Sequence, residues 1–304
     1  NTTIGLEGTL SDNLFLNSKF GITYTLLKES VFMPNLGMER YYNKEAYNVS
    51  KAANNKYNSF YNNTYLTYSK SFNEYSTLSS NTGVHVQTNQ YGYDWALTKN
   101  AQLNDQYRML QDGTNNLREI GGENRAWNWL SIYENLNYNY KDKYLLALTL
   151  SADGSSRIGK DAANTVKVGN TPFGIFYAAG AGWRISEESF LKNYSWLEEL
   201  KIRVSYGRSG NDDIGETNAT RNYAILRFRE TSGLYPAIKH NSELTYETVD
   251  QLNAGIDLSI LGSRIMAKID AYQSISSNLL VYSPIDSYFG YEYQPDNSGK
   301  MQNR

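Results

Sequence analysis

Three groups of side chains in this sequence have the chemistry of enzyme active sites, but none has the required spacing. The pairs Glu187-Glu188 and Glu198-Glu199 are adjacent, so in a strand their carboxylates point to opposite faces and form no acid/base pair. His85 and His240 lack the spacing of metal ligands. Residues 207–211 do not form a nucleophile elbow of the G-x-S-x-G type, because their second glycine comes one residue too early. The sequence therefore predicts no catalytic residue, no cofactor and no enzyme.

Two polar motifs could bind a ligand or shape a turn. Asn211-Asp212-Asp213 offers oxygen ligands for calcium but lacks the spacing of a calcium loop, which favours a solvated turn without a metal. In residues 153–157 we expect Gly154 to take a positive φ, the Asp and Ser side chains to bond local amides, and Arg157 to pair with carboxylates. A structural role is thus expected for Asp153, Gly154, Ser155, Ser156, Arg157, Gly207, Gly210 and Asn211.

Aromatic side chains are the candidates for contact with a bound molecule. The chain contains 27 Tyr, 10 Phe and 5 Trp, and such rings stack on sugar faces or pack on peptide side chains. The candidates in or near predicted loops are Trp95, Trp127, Trp129, Tyr288, Phe289 and Tyr291. For Trp127 and Trp129 an aromatic belt at a membrane interface is the favoured alternative.

Composition excludes several classes of protein. The 304 residues carry a net charge of -2, which offers no basic surface for nucleic acid. Mean hydropathy is -0.59 and no apolar run reaches about 18 residues, which excludes a transmembrane helix but not a barrel. The absence of cysteine excludes disulfides, thiolate metal sites and cysteine nucleophiles. The chain begins without Met or a signal segment, so we expect it to be a section of a longer precursor.

Alternating side chains predict β-strands along most of the chain. In residues 200–207, Leu200, Ile202, Val204 and Tyr206 share one face, and Lys, Arg, Ser and Gly occupy the other. The same pattern runs through residues 14–26, 135–140, 144–151 and 251–260. Residues 15–26 and 249–260 are long enough to cross a bilayer, which takes about 9–11 residues, whereas soluble strands cluster near five or six. Strand length therefore favours a membrane barrel over a soluble sandwich.

The predicted connections are of two kinds. Tight turns are expected at residues 140–143 and 261–263, and long polar loops at residues 37–58, 98–125 and 210–221. Residues 39–54 and 100–112 have a composition and spacing that predict helical turns within those loops. Short turns on one side and long loops on the other are typical of bacterial outer-membrane barrels.

Several ordered blocks resemble SusC/RagA-type TonB-dependent transporters of Bacteroidetes. Residues 144–159 are similar to the strand that ends in a DGSSRFG-like turn in that family, although Ile158 replaces the usual Phe. Residues 173–186 and 196–211 resemble the two blocks that follow, and residues 297–304 resemble a later element. The order and spacing of these blocks cover most of the chain.

The resemblance implies an all-β fold, an antiparallel transmembrane β-barrel with long extracellular loops and short periplasmic turns. Residues 1–304 would form one section of the barrel domain, about half of its roughly 22 strands. The plug domain, the TonB box and the final strands are expected to lie outside this chain. The implied function is import of an oligosaccharide or peptide through the outer membrane, with TonB and a SusD-like surface lipoprotein as partners.

Two other functions remain open on the sequence. A soluble secreted β-protein that binds glycans would share the tyrosine content and the alternation. A SusC-like barrel could also serve as a scaffold in a larger outer-membrane complex.

Overall fold

Residues that alternate between apolar and polar form β-strands along most of the chain, as the sequence predicts. The computed structural model describes residues 1–34, 48–99, 109–113, 118–220, 223–228, 231–236, 238–286, 288, 290–291 and 293–304. Apart from strands, this part of the chain contains the 3-10 turns Leu110–Asp112 and Ile185–Glu187. Among the described residues, no helix has the length and apolar character needed to cross a membrane.

The strands form one large sheet and two small hairpins. They are β1 Thr2–Ser11, β2 Leu14–Met33, β3 Val49–Asn73, β4 Ser76–Lys99, β5 Arg118–Tyr140, β6 Tyr144–Ser155, β7 Val166–Val168, β8 Thr171–Arg184, β9 Leu197–Asn211, β10 Tyr223–Phe228, β11 Thr231–Pro236, β12 Glu247–Ile260, β13 Ile265–Ser277, β14 Leu280–Pro284, β15 Tyr293–Asn297 and β16 Lys300–Asn303. The order of the twelve-stranded sheet is β1-β2-β3-β4-β5-β6-β8-β9-β12-β13-β16, with β7 paired to β8. Hairpins β10-β11 and β14-β15 lie outside it.

The two ends of the large sheet differ in their connections. At the turn end, the strands are joined by residues 12–13, 74–75, 141–143, 185–196 and 261–264. At the loop end, they are joined by residues 34–48, 100–117, 156–170, 212–246 and 278–299. Except for residues 185–196, the turn-end connections are all short and the loop-end connections are all long, which confirms the predicted asymmetry.

Tight turns form at both places where the sequence predicts them. Lys141 and Asp142 have φ of 57° and 53°, and the Lys143 amide closes this left-handed pair by donating to the Tyr140 carbonyl at 3.1 Å. Leu261, Gly262 and Ser263 also have positive φ. The Lys141 amide donates to the carbonyl of Tyr75 in the neighbouring turn, with an N···O distance of 2.6 Å.

The helical prediction for residues 39–54 is wrong where the structure describes them, whereas the described end of residues 100–112 does form a helical turn. Residues 49–54 belong to β3, which has 25 residues. Residues 49–58 of the predicted loop 37–58 are therefore strand. Of residues 100–112, the described part contains Leu110–Asp112 as a single 3-10 turn, and residues 100–108 lie outside the described part. The loop predicted at 98–125 is also shorter, because β5 begins at Arg118. Pairing with neighbouring strands overrides the local preference for helix.

The chain divides into two compact units. The first contains Asn1–Thr3, Gly21–Tyr61 and Thr88–Trp127, and the second contains Ile4–Phe20, Asn62–Gln87 and Asn128–Arg304.

Strand pairing in the second unit produces two opposite faces. Leu146 pairs with Ala181, which pairs with Val204 and onward with Ala254. This apolar face keeps large side chains exposed, among them Leu146, Leu148, Leu150, Ile202, Val204, Leu252 and Ile256. On the polar face, Ala147 pairs with Gly180, and Ser205 pairs with Asn253. Both faces agree with the alternation predicted for these strands.

Candidate functional site

Small residues form a trough on the polar face of the second unit. Ala147, Gly180 and Ser205 lie side by side on β6, β8 and β9, and Gly182 and Gly255 extend the row. The trough has a volume of about 530 Å³. Its margins are formed by Thr77, Ser79, Asn137, Asn139, Leu145, Lys201, Arg203 and Asn253. The lack of large side chains leaves room for a molecule to lie along this wall.

An ion cluster borders the trough. Arg203 makes two hydrogen bonds to Asp257, at 3.0 and 3.1 Å, and its Nη2 lies 2.6 Å from Asp270 Oδ1. Gly255 makes this arrangement possible, because a Cβ there would lie 2.5 Å from Asp270 Oδ1 and 2.8 Å from Arg203 Cζ. The cluster therefore places fixed charges along one margin of the trough.

Aromatic and polar side chains continue on the same face toward the loop end. Trp129 packs edge-on against His85, with ring centroids 4.8 Å apart and an interplanar angle of 88°. The Tyr133 hydroxyl donates to Asn63 Oδ1 at 2.8 Å, and the Ser131 hydroxyl donates to the Asp153 carboxylate. These rings and hydroxyls can contact a polar molecule that lies against the polar face.

The first unit carries its own row of tyrosine–asparagine hydrogen bonds. The Tyr57 hydroxyl donates to Asn89 Oδ1 at 2.7 Å, and Asn55 Nδ2 donates to the Tyr91 hydroxyl at 3.2 Å. The Arg125 guanidinium lies over the Tyr91 ring, 4.3 Å from its centroid. The paired tyrosine and asparagine groups are uncharged, which suits a partner rich in hydroxyl groups.

The aromatic residues predicted to contact cargo lie in strands and in one connection. Trp95 is in β4 and packs against Gly121 of β5, since a Cβ at Gly121 would lie 2.6 Å from Trp95 Nε1. Trp127 and Trp129 are in β5 and not in a loop. Two more candidates occupy the connection between β14 and β15, where Tyr288 is 90% exposed and Tyr291 is half-buried. Phe289 lies outside the described residues.

A small hydrophobic core joins the loop-end connections of the second unit. It contains Ile158, Ala162, Phe176, Ile214, Ala219, Leu244 and Tyr246. Leu244 is fully buried, and the Tyr246 ring packs edge-on against Phe176. Burial raises the pKa of the Tyr246 hydroxyl, which donates to the Asp153 carbonyl at 2.6 Å. We call this cluster the loop core, and it converts separate connections into one packed structure.

Backbone hydrogen bonds and one arginine complete the loop core. The Gly159 amide donates to the Leu244 carbonyl at 2.8 Å, and the Asp161 amide donates to the Ser242 carbonyl at 2.9 Å. Arg157 is largely buried and lies 3.4 Å from Asp213 and 3.3 Å from Glu216. The acidic residues considered for calcium therefore surround a guanidinium.

The motif at residues 153–157 departs from its prediction at Asp153 and Gly154, while its serines accept from amides and Arg157 pairs with carboxylates as predicted. The φ of Gly154 is not positive; the residue pairs with Leu130 and Phe173 in extended strands. The reason for a small residue is packing, since a Cβ there would lie 2.9 Å from the Phe173 ring. Asp153 accepts from the hydroxyls of Ser131 and Ser151, while the Ser155 hydroxyl accepts from the Arg157 amide.

The second glycine motif ends β9 beside the loop core. A Cβ at Gly210 would lie 2.1 Å from the Phe176 ring, and one at Gly207 would lie 2.9 Å from Ala178 Cβ. The Asn211 carboxamide accepts from the Asp213 amide at 3.1 Å. These contacts describe residues that shape the end of a strand.

Aromatic rings border the apolar face at both ends. At the turn end, Tyr140 stacks on Tyr144, and Tyr144 stacks on Trp183, with centroids 6.3 and 6.5 Å apart. At the other border, the rings of Tyr177 and Tyr206 lie 6.3 Å apart. Tyr177 and Trp183 are on one strand, about 20 Å apart along it. An apolar band between two aromatic rows is the surface expected of a strand wall that faces lipid.

Glu188 organises the polar edge of the turn-end row. Its carboxylate accepts from the Tyr144 hydroxyl, the Trp183 indole N–H and the Lys143 ammonium at 2.7 to 3.1 Å. These hydrogen bonds, that of Tyr144 first, hold the pKa of Glu188 below its usual range. The stabilisation is therefore present above the ordinary pKa of a glutamate and is lost as pH falls through the lowered value.

The trough, the tyrosine–asparagine row and the loop core were not predicted from the sequence. A signal for the row exists, because Asn55, Tyr57, Tyr61, Asn63 and Tyr65 alternate with other residues along β3. The loop core depends on contacts between residues 158, 214 and 244, which no local pattern joins.

Comparison with known proteins gives a consistent result. The family described as TonB dependent receptor-like, beta-barrel matches residues 1–304. TonB-dependent receptor P39 of Formosa agariphila is 29% identical over 304 residues, which cover 97% of this chain and 27% of that protein. TonB-dependent receptor SusC of Bacteroides thetaiotaomicron is 30% identical over 262 residues, which cover 82% of this chain and 24% of that protein. The chain thus spans about a quarter of the length of these relatives.

A solved structure shares the fold. The structure of the RagAB peptide transporter superposes with a TM-score of 0.83 and 22% sequence identity, covering 99% of this chain and 32% of that one. At this level of identity the likeness concerns the fold.

Proposed function

Because this chain belongs to the TonB-dependent receptor β-barrel family, we propose that the complete protein is an outer-membrane importer and that residues 1–304 form a section of its barrel wall. The apolar face of the second unit faces lipid, and its polar face lines the lumen. The observation that carries this proposal is the exposed apolar band between two aromatic rows.

The proposed cargo is a neutral oligosaccharide. The groups that line the two units are mainly tyrosine hydroxyls, asparagine amides and ring faces, including Tyr57, Tyr133, Asn89 and Trp129. Such groups donate to and accept from sugar hydroxyls and stack on sugar rings. RagAB is a peptide transporter, so a peptide is the second candidate, supported by the charged margin of the trough at Arg203 and Asp257.

In this proposal, the cargo first binds and then passes through a gated pore, and no covalent bond is made or broken. The proposed cargo contacts are Trp95 and Trp127 in the first unit and Trp129, Tyr288, Phe289 and Tyr291 in the second. In the second unit, cargo also passes along the trough. A SusD-like surface lipoprotein and TonB, which acts through a plug encoded elsewhere in the complete protein, are the proposed partners.

The soluble alternative is less well supported by the second unit. Leu148, Ile202 and Leu252 are all between 40 and 47% exposed on one face. A soluble glycan-binding protein would have to cover such a face, whereas lipid covers it in a barrel wall.

Blocking the trough is expected to stop uptake. Gly180→Trp places a large ring on the polar face, where the nearest heavy atom to the new Cβ is 3.6 Å away, so the strand can accept it. Ala179→Trp is the matched control, because this neighbouring residue points to the apolar face. Cells that carry the complete protein should lose most uptake of labelled neutral oligosaccharide with Gly180→Trp and keep it with Ala179→Trp.

The same cells separate the two cargo classes. Uptake of neutral oligosaccharide, but not of a peptide of similar mass, is the expected result. Uptake of peptide alone would contradict the proposed cargo, and equal uptake by the Gly180→Trp cells would contradict the trough as the route.

A further inference from the structure

The ammonium of Lys141 lies over two aromatic rings at the turn end of the second unit. Its Nζ lies 5.3 Å from the ring centroid of Tyr75 and 5.3 Å from that of Tyr140. Tyr140 stacks on Tyr144, which stacks on Trp183, so the ammonium ends a continuous aromatic row. Rings attract a cation through their negative faces, which keeps the ammonium at this position.

The backbone also fixes this lysine. Its amide donates to the Tyr75 carbonyl at 2.6 Å, and its φ of 57° places it in a tight hairpin turn. Both rings keep a large exposed surface, 54% for Tyr75 and 37% for Tyr140. The cation is therefore positioned, yet it remains accessible from outside.

The neighbouring carboxylates are engaged elsewhere. Asp142 accepts from Asn139 Nδ2 at 2.5 Å, and Glu188 accepts from Lys143, Tyr144 and Trp183. Within the described part of the chain, Lys141 forms no ion pair. The exposed Glu74 is the remaining acidic neighbour in sequence to Tyr75. The Lys141 ammonium therefore makes no ion pair with Asp142, Glu188 or Glu74, and it remains available to an anion outside the chain.

We propose that Lys141, with Tyr75 and Tyr140, binds the phosphate of an anionic phospholipid. The inference rests on the proposed function, which places the turn end at the headgroups of the inner leaflet of the outer membrane. The ammonium pairs with the phosphate, the tyrosine hydroxyls donate to headgroup oxygens, and the acyl chains lie on the apolar face beside Leu146. Attraction of an anionic headgroup by a lysine near the membrane surface contributes affinity of this kind.

Lipid retention by the complete protein tests the site. The purified protein in detergent is incubated with phosphatidylglycerol or with phosphatidylcholine, and retained lipids are counted by native mass spectrometry. Lys141→Gln is expected to lower retention of phosphatidylglycerol about fivefold, with little effect on phosphatidylcholine. Lys141→Arg should keep retention, and Glu74→Gln should increase it.

The control and the contrary outcomes are defined by the same measurement. Lys160→Gln removes an exposed lysine that pairs with Asp161 at 3.3 Å in a loop-end connection, and should leave retention unchanged. Equal retention by the wild type and Lys141→Gln would overturn the inference, as would displacement of the lipid by millimolar inorganic phosphate. If these variants still import oligosaccharide, the proposed function survives that result; a wild type that stays soluble without detergent would reject both.

Discussion

Replacing Leu148 by arginine is expected to prevent most of the complete protein from assembling in the membrane. Leu148 is 40% exposed on the apolar face, and its pairing partners Leu136 and Ala179 are apolar. It lies on β6 midway along the band that starts at Tyr144. An arginine on the lipid face near the middle of a bilayer costs about 2–4 kcal/mol. The amount of folded barrel in the outer-membrane fraction measures the effect.

Thr149→Arg is the matched control for this prediction. Thr149 is the next residue of the same strand, points to the polar face and donates to Asn135 Oδ1 at 3.0 Å. An arginine there enters water, so assembly should remain close to that of the wild type. If both variants assemble equally well, the apolar face is not in contact with lipid.

Gly159→Ala is expected to unfold the loop core while leaving the strands intact. A Cβ at this position would lie 2.1 Å from the carbonyl oxygen of Ser242 and 2.5 Å from its carbon. These are backbone atoms, and the adjacent hydrogen bond from Gly159 to Leu244 holds them in place. Overpacking costs about 1–3 kcal/mol, and here the hydrogen bonds are lost as well. Hydrogen exchange at residues 242–246 should become much faster.

Gly180→Ala provides the control for the loop core. Gly180 is in β8 with a paired strand on each side, and the nearest heavy atom to a Cβ built there is 3.6 Å away, so the substitution should be nearly neutral. Unchanged exchange in Gly159→Ala would show that residues 156–162 and 238–246 do not depend on each other.

Most of the strand architecture follows from local sequence. The alternation of Leu146, Leu148 and Leu150 with smaller or more polar residues predicts both the strand and its two faces. The turn at Lys141-Asp142 is also predictable, because a short polar segment between two alternating runs favours a hairpin. These features need no knowledge of the neighbouring strands.

Features that depend on distant neighbours do not follow from local sequence. Residues 49–54 have polar side chains on both faces, so their strand is hard to distinguish from a loop or helix until β4 pairs with it. The small size of Gly154 serves the Phe173 ring and not a left-handed turn. The loop core likewise requires Ile158, Ile214 and Leu244 to meet across long connections.

The candidate site also depends on contacts between residues that are distant in sequence. Its aromatic content was predictable from composition, and Trp129 was identified as a candidate. The trough was not, because small residues such as Ala147, Gly180 and Ser205 acquire meaning only when pairing places them side by side.

Alternating exposure to lipid and water along β6 tests most directly whether this chain forms a barrel wall. The chain contains no cysteine, so single cysteines can be introduced at residues 144–151 of the complete protein, in a background without other reactive cysteines. In intact outer membranes, we expect a lipid-soluble thiol reagent to label positions 146, 148 and 150, and a charged water-soluble reagent to label positions 147, 149 and 151. Labelling of both sets by the charged reagent would contradict a barrel wall between lipid and lumen.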